Sequence, residues 1–456
     1  MTEEEALQLR KENEELQEAL KQTQELLRVA LARIEELEKQ KSPPPAFVKA
    51  DVKKPTPGEK APRKNRAVQY NQARRRSLPT HIVEHHIAMC PQCDLRLGGI
   101  SLARRREVID LPAPTPVQIT EHRIFKGWCA GCQKWQEAPV DLHREVLGQG
   151  RIGVRLASTI AYLRTSLRLP LRHIRDLLRT LHGFEISLGE IVELLHRIST
   201  HAQPGLDVLL AEIRASPAVQ ADETGWREDG KNGYIWSVST PTVRYYEYHH
   251  SRAGEVIKQV IGDEFTGVLG SDFYAGYNLH QGLHQRCWVH FLRDIRDLKK
   301  LYPNDAQLWQ WAKAVKQIYL RAKAAPAADP QLPLTKQHAQ RVALQHAFEQ
   351  ELWQLCAPFV RTQALMHTLC ERVERFLPEL FVFVAYPGVP SDNNLAERSV
   401  RPLVIARKIS GGTRSPKGSE TRMALASLFG TWSAQGLNPF SQCLALLTSK
   451  SSLGQV

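Results

Sequence analysis

Residues 218–272 read AVQADETGWREDGKNGYIWSVSTPTVRYYEYHHSRAGEVIKQVIGDEFTGVLGSD. Within this stretch, Ala218–Ala221, Tyr234–Thr240, Arg244–His250 and Val268–Gly270 are short β-branched or aromatic runs divided by Gly, Asn and Pro turns. That is the pattern of strands. A helical pattern at Arg252–Ile261 stands before the fourth run. On this reading Asp222 falls at the end of the first strand and Asp272 at the end of the fourth. If those two strands are adjacent and central, their carboxylates come within reach of shared cations.

A third carboxylate, Glu397, lies in SDNNLAERSVRP at residues 391–402, where a helix is predicted from about Asp392 to a limit at Pro402. Three strands, a helix, a fourth strand and a later acidic helix match a ribonuclease-H-like α/β core. Such a core gathers acidic side chains around divalent metal ions, and hard cations take oxygen ligands. The chain has 48 acidic residues, so the triplet alone decides nothing. Glu223, beside Asp222, is expected to face the other side of the sheet because successive strand residues alternate. Asp392 already has a structural task as a helix N-cap. Arg398, Arg401, Arg407 and Lys408 follow the glutamate, either as a phosphate clamp or as a salt-bridged surface. Cys287 and His290 in CWVH are too few for a closed metal site. His290 either touches a phosphate or sits satisfied in the core.

The other segments point to nucleic acid. The chain has 456 residues and a net charge of +13, room for several domains. Residues 1–40 hold eleven Glu against six Lys or Arg, leaving +18 for the remainder. A polyanionic partner suits such a balance, since neutralising phosphates releases counterions; a solvated basic surface is the alternative. There is no run of ~18 apolar residues, and the acidic, periodic N-terminus resembles no targeting peptide. A cytoplasmic protein with no membrane partner is expected.

Residues 1–40 carry heptad seams, Ala6, Asn13, Leu20, Leu27 and Ile34 with Leu9, Leu16, Thr23, Ala30 and Leu37. They predict a coiled coil and a homo-oligomer. Residues 41–80, with seven prolines and eleven Lys or Arg, form a basic linker whose Arg74, Arg75 and Arg76 suit phosphate contact or a solvated tether. In residues 81–145 the pairs Cys90/Cys93 and Cys129/Cys132 flank strand-like runs at Val117–Thr120 and Arg123–Lys126, the arrangement of a zinc ribbon with structural Zn²⁺. Residues 146–215 are helical, with Ser187-Leu-Gly-Glu190 as a capping box after a break at His182-Gly183. Helix, short turn, helix is compatible with a helix-turn-helix that contacts DNA. The core then occupies 216–300 and 386–456, interrupted by an all-helical insertion at 301–385. Near the C-terminus a helix is expected from about Glu420 to Gln435, capped by Gly436.

Several words in this order resemble the DDE transposases of the insertion-sequence-66 family: DLPAPTPV (110–117) between the cysteine pairs, DET (222–224), GYIWSVS (233–239), SDFYAGY (271–277), CWVH (287–290) and DNNLAERSVRPLVIARK (392–408). The resemblance covers most of the chain. It implies a ribonuclease-H-like core, cutting and joining of the ends of a mobile element, and Mg²⁺ or Mn²⁺ held by Asp222, Asp272 and Glu397, with Asp222 bridging two ions. A silent DNA-binding descendant and a nuclease that cuts without joining are the alternatives. Many members carry a GRKNW-like stretch after the ER-x-x-RP word, whereas this chain reads ARKISGGTRS at 406–415. That departure suggests a different subgroup and leaves open whether accessory transposition proteins are needed.

Overall fold

The computed structural model describes residues 17, 18, 20, 21, 23–25, 27, 28, 78–99, 101–325 and 330–449. The proposed linker, with Arg74, Arg75 and Arg76, and most of the proposed coiled coil lie outside the described residues. The chain divides into two compact units, Met1–Leu111 and Pro112–Val456. In the first, the described residues between 17 and 28 are helical, with Leu20 and Leu27 about 60% exposed (58% and 59%). Further on, Met89 bridges Arg96. The Cys90 N–H donates to the Leu95 carbonyl at 2.9 Å and the Asp94 N–H to the Cys90 carbonyl at 3.0 Å, so the first cysteine pair closes a tight turn.

The second unit begins with a small hairpin, β1 (Lys126–Cys129) and β2 (Lys134–Glu137), paired so that Trp128 faces Trp135. The expected strands at Val117–Thr120 and Arg123–Lys126 are corrected here. The hairpin is centred on the Cys129/Cys132 turn, which sets its register, while residues 117–120 pair with no strand. Four helices follow: α1 (Val154–Thr165), α2 (Leu171–His182), α3 (Leu188–His201) and α4 (Gln203–Arg214). Gly183 ends α2 at φ 61°, a conformation that a side chain would resist. Ser187 caps α3 by accepting the Glu190 N–H. The Glu190 side chain turns to Arg151 instead of closing the box.

The central sheet has five strands in the order β5-β4-β3-β6-β7. β3 (Ala218–Glu228), β4 (Lys231–Ser239) and β5 (Arg244–His249) form an antiparallel meander. After α5 (Glu255–Ile261), β6 (Val268–Ser271) returns parallel to β3, and β7 (His284–Arg286) lies parallel to β6. β3 runs seven residues past the expected end at Ala221, because a tight turn at Asp229-Gly230, with φ of 48° and 76°, lets its far half pair with β4. Asp222 is therefore inside a strand. The strand-helix-strand segment between β5 and β6 falls where the sequence predicts it.

Between β7 and the glutamate come α6 (Trp288–Leu301), α7 (Ala306–Lys323), α8 (Leu334–Cys356), α9 (His367–Phe376) and α10 (Val382–Ala385). They bury their own core around Trp288, Trp311, Phe348 and Phe381, apart from the core beneath the sheet. α11 (Asn394–Ser410) and α12 (Pro416–Ala434) then pack on β3 and β5, and α13 (Pro439–Thr448) packs on α1. Pro402 does not limit α11, which passes through it. Proline removes one intrahelical bond; nearby, the Tyr246 hydroxyl donates to the Ser399 carbonyl at 2.7 Å, and Leu403 and Ala406 are buried with Trp226 and Ile235. The mixed helix and sheet content agrees with the expected α+β class.

Candidate active site

β3 and β6 are in parallel register with Gln220 opposite Gly270. Two residues further along each chain stand Asp222 and Asp272. Each is half-buried and each is braced by backbone: the Glu223 N–H donates to Asp222 at 3.0 Å, and the Tyr274 N–H to Asp272 at 2.9 Å. The Asp272 carbonyl accepts from Arg286 at 2.9 Å. Arg286 is fully buried, and it also donates to Glu379 at 2.5 Å and Asn278 at 2.6 Å. The position of Asp272 is thus tied to the helical region through one guanidinium.

Glu397 arrives from α11, and residues 391–395 set where that helix starts. The Gln220 side chain donates to the Asp392 carbonyl at 2.7 Å and accepts the Leu395 N–H at 3.1 Å. Asn393, 1% exposed, donates its amide to the Ala221 carbonyl at 2.7 Å, and its N–H points at Cys287 Sγ at 3.2 Å. Asp392 accepts the Asn394 N–H at 3.1 Å, but the N-cap position expected of it belongs to Asn393, because the helix begins at Asn394. The SDNN word therefore fastens the first turn of α11 to the backbone beside Asp222.

The electrostatics tie the three acids together. Burial, the nearby Glu223 and Asp272 carboxylates, and more weakly Glu397, push Asp222 up to about 7. One oxygen of Glu397, Oε1, is buried without a hydrogen bond; His290 Nε2 lies 3.5 Å from it and Arg293 Nη2 3.6 Å. His290 Nδ1 is buried without a partner as well. Glu223 differs. Its carboxylate, 3% exposed, is held by Arg252 at 2.5 Å and by the Tyr277 hydroxyl at 2.5 Å. That leaves Asp222, Asp272 and Glu397 as acids with no hydrogen-bonded cation between them.

Such acids suit a divalent ion in donor type, and a buried carboxylate oxygen without a hydrogen bond, near a carboxyl whose pKa is raised, is what an added cation would relieve. Among the described residues no group of three or more His, Cys, Asp or Glu stands close enough to form a ready metal cluster. The cysteine pairs are divided between the two units, Cys90 and Cys93 in the first, Cys129 and Cys132 in the second. In each turn, backbone N–H groups pointing at a sulfur lower the thiol pKa: Gln92 and Cys93 act on Cys90, and Cys132 and Gly131 on Cys129. Thiolate-favouring turns of this kind fit zinc chemistry. Cys287, Cys356, Cys370 and Cys443 are buried.

The basic residues after Glu397 separate. Arg407 turns back onto β3, donating to the Gly225 carbonyl and to Thr224. Arg398, Arg401 and Lys408 are exposed. Sequence reasoning missed Gln220, Asn393, Arg286 and Arg293. The nearest signal was the run of two asparagines before the helix, and His290 with Arg293 three residues apart on one helical face.

A family model described as the transposase IS66 family matches residues 149–421, a span that contains Asp222, Asp272 and Glu397. The chain belongs to that family. It is 24% identical over 331 residues to the uncharacterized protein y4qI of Sinorhizobium fredii, covering 64% of this chain and 59% of the relative. It is 24% identical over 399 residues to the uncharacterized protein y4jD of the same organism, covering 80% and 76%. A third relative there, the uncharacterized protein y4jO, is 26% identical over 183 residues, or 38% and 51% of the two chains. The chain thus spans about three fifths of the first relative's length and half of the third's.

Proposed function

We propose that this protein is a DDE transposase that binds the ends of its insertion sequence, cuts them, and joins the freed 3′-OH to target DNA. The observation that carries the reading is the site just described: Asp222 inside β3, Asp272 beyond β6 and Glu397 on α11, close enough that the other two acids raise the first. The sheet order β5-β4-β3-β6-β7 supports a ribonuclease-H-like core, with α7–α10 as its insertion.

In this reading Asp222, Asp272 and Glu397 hold Mg²⁺ or Mn²⁺, which when bound activates the attacking oxygen and stabilises the leaving one. The residues themselves do the positioning. Gln220 and Asn393 fix the approach of Glu397, Arg286 fixes the Asp272 backbone, and His290 and Arg293 stand beside the Glu397 carboxylate. Arg398, Arg401 and Lys408 contact DNA phosphates; Arg407 serves β3 first. Cys90, Cys93, Cys129 and Cys132 carry one structural Zn²⁺, so elemental analysis should find one zinc per chain and Cys129→Ser should lose it.

The deciding experiment is strand transfer of the element's own end DNA into a plasmid with Mg²⁺. Asp222→Asn, Asp272→Asn and Glu397→Gln should each reduce joined product to background while DNA binding persists. Full activity in any one of them would remove that residue from the triad. Cleavage without joining by the wild type would point to a nuclease instead, and binding without cleavage to a silent descendant.

A further inference from the structure

Away from the three acids, a cavity of about 330 Å³ opens between the end of α1, the start of β5, α11 and α12. Four arginines line it: Arg168, Arg244, Arg398 and Arg422. No carboxylate does. Arg422, on α12, is only 7% exposed; one of its amino groups donates to the Arg164 carbonyl at 3.1 Å, while its Nε has no hydrogen-bond partner. Thr165 also lines the cavity, and its hydroxyl is buried and unpartnered too. Among the described residues neither Arg168 nor Arg398 has a hydrogen bond or ion pair. Among the described residues the Arg244 guanidinium donates to main-chain carbonyls, those of Thr240 and Val243.

A guanidinium cannot shed its proton at ordinary pH, and a buried charge without a counter-charge is costly. Burial, together with Arg164 and Arg168, pushes Arg422 down to about 9, the mark of a cation lacking an anion. Arg168 is further held at φ 60°, a conformation uncommon for a residue with a side chain. Several guanidinium groups and a buried hydroxyl around one opening, with no acid to share them, match an oxyanion that accepts many hydrogen bonds at once.

We propose that this cavity is a phosphate-binding site, separate from the Asp222/Asp272/Glu397 centre, in which Arg422 and Thr165 form the floor and Arg168 and Arg398 close over a phosphoryl group. The source of that group is either a backbone phosphate of DNA or a free phosphate-bearing small molecule. The assignment shares Arg398 with the DNA contacts proposed above and rests on none of the three acids.

The test is calorimetric titration of the full chain with inorganic phosphate at constant ionic strength, in wild type, Arg168→Gly, Arg398→Gln and Arg422→Gln. Glycine at 168 removes the guanidinium while suiting the left-handed backbone, and position 398 is exposed, so both variants should fold even if the 422 variant does not. Saturable binding by the wild type, weakened at least tenfold in Arg168→Gly and Arg398→Gln, is the expected result. Absence of saturable binding, or equal affinity in those two variants, overturns the proposal. With the site established, duplex DNA that displaces phosphate identifies the strand backbone as the source. Duplex that binds and leaves phosphate affinity unchanged identifies a free ligand.

Discussion

Asp222 is the residue whose state decides the behaviour of the proposed active centre. Burial and its acidic neighbours raise it from 3.8 to about 7, so the metal-free fold prefers the protonated acid. A group raised in the folded state contributes stability that is complete below its unfolded pKa and lost as pH rises through its folded one. Metal-free protein should therefore lose stability between about pH 4 and pH 7, by up to roughly 1.4 kcal/mol per pH unit. Asp222→Asn should flatten that dependence and raise the melting temperature at pH 8 in chelator. An unchanged pH profile in the variant would show that Asp222 is not the group responsible. Cation binding must expel the same proton, so Mg²⁺-dependent cleavage should fall as pH drops through about 7. A rate flat from pH 6 to 8 would contradict the raised acid. The strands that lead to Asp222 and Asp272 were legible in the sequence as short β-patterned runs. The electrostatic state of Asp222 was not, since it depends on burial and on Glu397, which is 175 positions away from Asp222 in the chain.

At the scale of elements, the start of α11 is the piece that makes the centre possible. Asn393 and Gln220 join it to β3 through three hydrogen bonds, one of them to the carbonyl next to Asp222. Asn393→Ala leaves the Ala221 carbonyl without its amide donor, a loss of about 1–3 kcal/mol. It should lower the denaturant midpoint and depress strand transfer while leaving end-DNA binding near wild type. Normal strand transfer in a variant destabilised to that degree would mean that Glu397 reaches its place without this loop. The strands of the meander could be read from their aromatic and β-branched content. β7 could not: its residues are His284, Gln285 and Arg286, all buried and polar. It is held by bonds to Ser271, to the Leu380 carbonyl and to Glu379, and no hydrophobic period marks such a strand. Pro402 misled for a similar reason. Its local rule ends a helix, whereas the apolar face of α11 against β3 carries the helix onward.

Across the whole molecule, charge and association remain to be linked. The +13 net charge combines an acidic N-terminal segment with +18 in all that follows, so DNA affinity should fall steeply with salt, the logarithmic slope approximating −0.9 per phosphate neutralised. The N-terminal segment would do different work. Of its proposed seam, Leu20 and Leu27 are among the described residues; they lie seven apart, are helical, and remain exposed in the single chain. Fully burying a leucine is favourable by about 1.5–3 kcal/mol. Five heptads of such positions would hold two copies together even with Asn13 weakening one layer. Sedimentation equilibrium should therefore give a dimer or larger species for the full chain and a monomer after removal of residues 1–40. Leu20→Ser combined with Leu27→Ser should weaken association at least tenfold without moving the melting transition of the sheet-bearing unit. A full chain that sediments as a monomer at micromolar concentration would assign the exposed leucines to some other surface. If association is lost while single-end DNA binding survives, pairing of two ends would be a property of the N-terminal helix, separable from the chemistry at Asp222, Asp272 and Glu397.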